Sequence, residues 1–183
     1  MAASPTSRTH TRARSPVRRG AMRAGQQTDR DDTTGTVLGP GEGRRLTFPG
    51  RGATMIFKAV GQRPTGGFTF AEFTAEPGFL PRPHIHHTHE ELFYVVEGEF
   101  EFVLGDRTVR AGPGTFVHVP PGVLHGFANR TDAPARYVGT IAPPTLEHYF
   151  EELATLFGAG GPPDFAAQRA LREKYQTDEP EPS

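Results

Sequence analysis

Residues 81–98 read PRPHIHHTHEELFYVVEG. Four histidines, His84, His86, His87 and His89, fall within six positions, and the adjacent glutamates Glu90 and Glu91 follow at once. Such a run can be a metal site, a basic surface patch or a chance cluster. Behind it comes a strand-like stretch that is apolar on both sides, with Phe93 and Val95 on one and Leu92, Tyr94 and Val96 on the other. A strand wet on one face would alternate, so both faces are expected to be covered. The cover on the outer face is either the rest of this chain or a second copy of it, and a homodimer is the expectation.

Outward from this stretch the pattern repeats. ATMIFKAV (53–60), GFTFAEFTA (67–75), EFEFVLG (99–105), RTVRAG (107–112), TFVHVP (115–120) and ARYVGTI (135–141) are short runs rich in valine, threonine and phenylalanine. Glycine, proline and aspartate separate them, as in the turn Gly105-Asp106 and in Pro113-Gly114. Many short strands with closely spaced turns predict an all-β sandwich or barrel over residues 36–142. After Pro143-Pro144 the spacing becomes helical, with Leu146, Tyr149, Phe150, Leu153 and Phe157 on one side and Thr145 placed as N-cap. A second helix is expected from about Asp164 to Tyr175, closing a helical segment over 143–176. Residues 177–183 read as a disordered polar tail.

The spacing of the polar residues says more than their density. Gly78, His84, His86, Glu91 and Gly98 are separated by five, one, four and six residues. Gly114, Pro120, Gly122, His125 and Asn129 are separated by five, one, two and three, and fifteen residues lie between the two segments. This resembles both signature motifs of the cupin superfamily, and the chain is similar to single-domain cupins of the quercetin-dioxygenase-like type. The turn TGGFTFAEF and the helix TLEHYFEEL extend the resemblance, more weakly, to roughly 37–175. It implies a double-stranded β-helix, a jelly-roll barrel, with C-terminal helices. It also implies one divalent transition metal ion (iron, manganese, nickel, cobalt, copper or zinc) held by His84, His86, Glu91 and His125.

Strand geometry agrees with that set. Residues i and i+2 of a strand share a side, so His84 and His86 project together and His87 points away. Gly98 selects Glu91, because giving the ligand role to Glu90 would put Glu97 where the motif needs the glycine. His87, His89 and Glu90 then read as a polar rim, with proton relay by His87 or His89 as the functional alternative. His118, alternating with Val117 and Val119, reads as structural. Three imidazoles and a carboxylate leave positions open on a five- or six-coordinate ion. Of the phenylalanines and tyrosines on predicted strands, Phe70, Phe93, Phe102, Phe127 and Tyr137 are the candidates to line a substrate pocket.

The chain has 183 residues, no cysteine and a net charge of −1. Thiolate ligands and disulfides are therefore excluded, and no run of about 18 apolar residues is present to span a membrane. Residues 1–30 carry seven arginines against one acid, while the remainder has 13 basic and 20 acidic residues. The mildly acidic barrel is not expected to bind nucleic acid. Residues 1–35 read as a disordered arginine-rich tail; its composition also resembles a transit peptide, and Met22 is an alternative start. A soluble, cytoplasmic protein is the default.

Fold does not give function, so the site must argue it. A mixed nitrogen/oxygen site in an apolar, aromatic interior points to a metal-dependent oxidoreductase, a dioxygenase acting with O2 on a small aromatic or enolic compound. In the quercetinase resemblance Glu91 doubles as the base that takes the substrate's hydroxyl proton. The alternatives are a non-redox isomerase, cyclase or decarboxylase, and a small-molecule-binding barrel without turnover.

Overall fold

The computed structural model describes residues 35–61, 67–159 and 164–179. The expectation for the arginine-rich tail falls almost entirely outside these. Among the described residues, eleven strands and two helices follow in the order β1 (Arg44–Phe48), β2 (Ala53–Ala59), β3 (Thr69–Ala75), β4 (Ile85–His86), β5 (Glu90–Glu97), β6 (Phe100–Leu104), β7 (Arg107–Ala111), β8 (Phe116–Val119), β9 (His125–Ala128), β10 (Ala135–Ala142), α1 (Leu146–Gly158), α2 (Phe165–Lys174) and β11 (Thr177–Asp178). A six-stranded sheet runs β1-β2-β3-β10-β5-β8, a three-stranded sheet runs β7-β6-β9, and β11 pairs with β4. The jelly-roll architecture with C-terminal helices is thus present.

Strand alternation places the core between the sheets. In β3, Thr69, Ala71, Phe73 and Ala75 are buried while Phe70, Glu72 and Thr74 lie on the other face. Phe93 and Val95 of β5, Phe100 and Phe102 of β6, and Tyr137 of β10 complete the inner wall. Phe73 stacks on Tyr137 at 5.0 Å and 12°, and Phe127 meets both edge-on at 5.3 and 5.1 Å. Burying each such ring contributes about 1.5–3 kcal/mol, and well-oriented pairs add about 0.5–1.5.

The opposite face of β5 is partly open among the described residues, with Leu92 and Val96 half-buried. Tyr94 and Phe116, paired across β5 and β8, are 46% and 60% exposed. Neither side chain is covered by another described part of the chain.

Two elements differ from the sequence expectation. β1 was not among the predicted strands; its inward residues are Arg44, Leu46 and Phe48, and an arginine breaks the apolar signal. The Arg44 guanidinium lies 4.2 Å from the centre of the Phe57 ring and pairs with Glu151 of α1, so the strand is held by a cation–π contact and an ion pair. Thr177 and Asp178, expected in a disordered polar tail, form β11: Gln176, with φ of 51°, turns the chain out of α2 so that they pair with His86 and Ile85. Polarity in that segment serves hydrogen bonding to a buried neighbour.

Gly98 closes the β5–β6 turn with φ of 69°. A Cβ there would sit 2.7 Å from both Ala135 Cα and Pro134 O, at the start of β10. Gly98→Ala should combine left-handed strain with overpacking and lower stability by about 2–4 kcal/mol. Denaturant unfolding measures this, and a wild-type midpoint would contradict it.

Candidate metal centre

The site begins with backbone pairing. His84 N donates to His125 O at 2.7 Å and His125 N donates to His84 O at 2.8 Å. A directly opposed antiparallel pair puts both side chains on one face, and the two rings lie 4.5 Å apart. His86 follows two residues on, its ring 4.8 Å from His84 and 5.4 Å from His125. The turn Pro120-Pro121-Gly122 is anchored by Gly122 N donating to His86 O at 2.8 Å. Glu91 enters on β5, opposite Val119 of β8 and Ile141 of β10.

The ligand atoms offered by His84, His86, Glu91 and His125 all lie within 4.8 Å of one another, so the cluster could hold a metal ion. The chemistry of the donors fits one. His125 Nδ1 faces Val123 O at 2.8 Å and His84 Nδ1 faces Arg82 O at 3.3 Å. A carbonyl can only accept, so each Nδ1 carries a proton; His84 Nε2 is then free to ligate, while His125 Nε2 donates to Glu91 Oε2 and would exchange that proton for a cation. His86 Nδ1 contacts Thr177 Oγ1 at 2.8 Å, while His86 Nε2 is buried with no hydrogen-bond partner. An orphaned buried nitrogen is costly, and a cation at the centre of the set satisfies it.

The electrostatics point the same way. Burial, and then the neighbouring His125, lowers His84 to about 4, and burial lowers His86 to about 3. Both are neutral near pH 7, the state a ligand requires. Burial alone would raise the Glu91 carboxyl, but a 2.8 Å hydrogen bond from His125 and the surrounding imidazoles hold it well below its ordinary 4.5. Burial pulls His125 down, yet the Glu91 bond and charge prevail and raise it.

The remaining residues of the run separate cleanly. His87 is exposed and pairs with Asp178 at 2.7 Å, and Glu90 reaches across to the exposed His118 at 3.2 Å. His89 departs from the rim reading, because it is buried. Its Nε2 lies 2.6 Å from Thr145 Oγ1 and its Nδ1 3.1 Å from Thr88 Oγ1. Thr145 stands at the N-cap of α1 but makes no side-chain cap bond, its hydroxyl being taken by His89. Asn129 is fully buried and bonds Ala75 O and Ala133 O, tying two chain reversals together.

A cavity of about 1090 Å³ opens beside the cluster, with His84 and Glu91 in its wall. Phe93, Phe127 and Tyr137 line it, as do Phe73, Phe79 and Tyr149. Phe70 and Phe102, also expected to line it, do not. Phe70 lies on the outer face of β3, one step out of phase with Phe73, and Phe102 is packed behind Phe93 and Phe127. Phe73 was the residue with the right phase.

A family model described as the cupin domain matches residues 71–141. Residues 71–141 form a cupin domain. Quercetin 2,3-dioxygenase of Bacillus subtilis (strain 168) is 29% identical over 118 residues, covering 64% of this chain and 34% of that protein. The chain therefore spans about a third of that relative's length. Among solved structures, KdgF from Halomonas sp. superposes with a TM-score of 0.55 at 21% identity, over 63% of this chain and 99% of that one. The polyketide cyclase RemF from Streptomyces resistomycificus gives 0.50 at 26% identity, over 58% and 78%. No helix of the described residues is long and apolar enough to cross a membrane.

His86→Ala, His125→Ala and Glu91→Ala should each strip most of the metal from the purified protein, and Glu90→Ala should leave it in place. Elemental analysis of the four variants checks this. Metal loss from Glu90→Ala with retention in Glu91→Ala would reverse the assignment.

Proposed function

We propose that this cupin domain is a mononuclear metal-dependent oxidoreductase, a dioxygenase that acts on a small aromatic or enolic compound. One observation carries the reading: a three-histidine, one-carboxylate cluster opens onto a cavity whose inner wall is built of aromatic rings. The likeness to quercetin 2,3-dioxygenase of Bacillus subtilis supports it.

His84, His86, Glu91 and His125 would hold a divalent transition ion, which supplies Lewis acidity toward a substrate oxygen and, when redox-active, a route to O2. The rings of Phe73, Phe93 and Phe127 would grip a flat substrate and keep water from it. Tyr137 is held protonated well above its ordinary 10, by burial first and by the Glu91 charge second. Its phenol is therefore a donor to a ligand oxygen. Glu91, held ionised, would take the substrate's hydroxyl proton. That carboxylate is a weak base in this setting, so the hydroxyl must be acidified for transfer to proceed.

A non-redox reading, as isomerase, cyclase or decarboxylase, is favoured by the likeness to the polyketide cyclase. A binding role without turnover is the third. Metal-loaded protein given a panel of flavonol-like and polyphenolic compounds should consume O2 in step with substrate loss. Absence of O2 uptake across the panel would sink the dioxygenase reading. Turnover under nitrogen would point to the non-redox chemistry, and tight binding without product to the third role.

We propose in addition that a second copy of the chain covers the face bearing Tyr94 and Phe116. Sedimentation equilibrium should then give about twice 19.9 kDa, and replacing both residues with lysine should return the monomer mass. A monomeric wild type would remove this proposal.

A further inference from the structure

The three imidazoles of the cluster are not held in the same way. His84 and His125 each direct Nδ1 at a backbone carbonyl two residues before it, Arg82 O and Val123 O. Their tautomer is therefore set by local chain geometry, whatever the rest of the molecule does. His86 is different. Its Nδ1 meets a hydroxyl, Thr177 Oγ1, supplied from 91 residues away. A hydroxyl can donate or accept, so the contact alone leaves the tautomer open.

The surroundings of Thr177 decide it. Its hydroxyl also faces Tyr175 O at 3.4 Å, and a carbonyl there can only accept. With the hydroxyl turned toward Tyr175 O, the oxygen accepts from His86 Nδ1–H; the opposite sense would place a proton on His86 Nε2, buried with no acceptor. The lone pair of His86 Nε2 then points, buried and unpartnered, toward His84, Glu91 and His125. Thr177 is 2% exposed and its backbone is fixed by pairing with His86 itself. The neighbouring side chains brace the same segment: Asp178 pairs with His87 at 2.7 Å and Glu179 with Arg172 at 3.0 Å.

We infer that Thr177 is a positioning residue of the metal centre, holding His86 in the tautomer and orientation that coordinate the ion, so that the C-terminal strand is a working part of the site. The inference rests on the reading of the four residues as metal ligands.

Cobalt(II), whose visible absorption reports its coordination, is the probe. Thr177→Val keeps the shape and removes the hydroxyl; it should weaken cobalt affinity 10–100-fold and alter the visible spectrum. The thermal midpoint of the metal-free protein should fall only modestly, by the loss of the acceptor for His86 Nδ1–H, and recover in Thr177→Ser. Thr177→Ser, which restores a hydroxyl, should recover most of the affinity and the spectrum. Wild-type affinity and spectrum in Thr177→Val would overturn the role of Thr177. So would an equal loss in valine and serine variants accompanied by a fall in the metal-free midpoint, which marks a packing defect. If wild-type protein itself takes up no cobalt, the ligand reading falls, and this inference with it.

Discussion

A carboxylate almost removed from water, Glu91, is the constraint around which the barrel interior is organised. Burying an ion without a partner costs several kcal/mol, and the aromatic wall on either side offers none. The compensation is concentrated in one place, where His125 approaches at 2.8 Å and His84 and His86 stand close behind. That arrangement keeps His84 and His86 neutral, while Glu91 raises His125, whose Nε2 donates to it. The features that tolerate the carboxylate in the chain by itself are the same ones that offer four donors to a cation.

The residues of the two motifs divide by physical task. His84, His86, Glu91 and His125 bring donor atoms together, whereas the others hold the chain where those donors can meet. Gly98 allows β5 to turn against the start of β10 with no room for a side chain. Gly122 reaches left-handed space and ties the turn before His125 to the carbonyl of His86. Asn129 uses both ends of its amide to pin Ala75, Ala133 and Thr131. None of these three touches the cavity wall, yet the distances within the cluster depend on them.

The separation of His84 and His86 from His87 follows from alternation along a strand, and the three residues lie as alternation requires. The same rule governs the pocket: Phe73, which shares its face with Ala71 and Ala75, lines it, and Phe70, named from the sequence, does not. Phe102 has the correct face but sits in a second layer, hidden by Phe93 and Phe127. Depth within a wall of stacked rings has no periodic signature. His89 was read as rim because a polar residue beside a turn is commonly wet; its burial depends on Thr145, at the head of a helix packed over the barrel end.

What the sequence by itself determined is whatever a strand enforces locally. Alternation and spacing identified the barrel class, put His84 and His86 on one side, and set Glu91 apart from Glu90. What only the tertiary structure decided is which distant groups stand opposite them. The second motif had already grouped His125 with the cluster; that it is the backbone partner of His84, and that Thr177 orients His86, was decided by sheet pairing, which no strand rule encodes. Side-chain direction is a property of the strand, and it was legible; partnership is a property of the assembled sheet, and it was not.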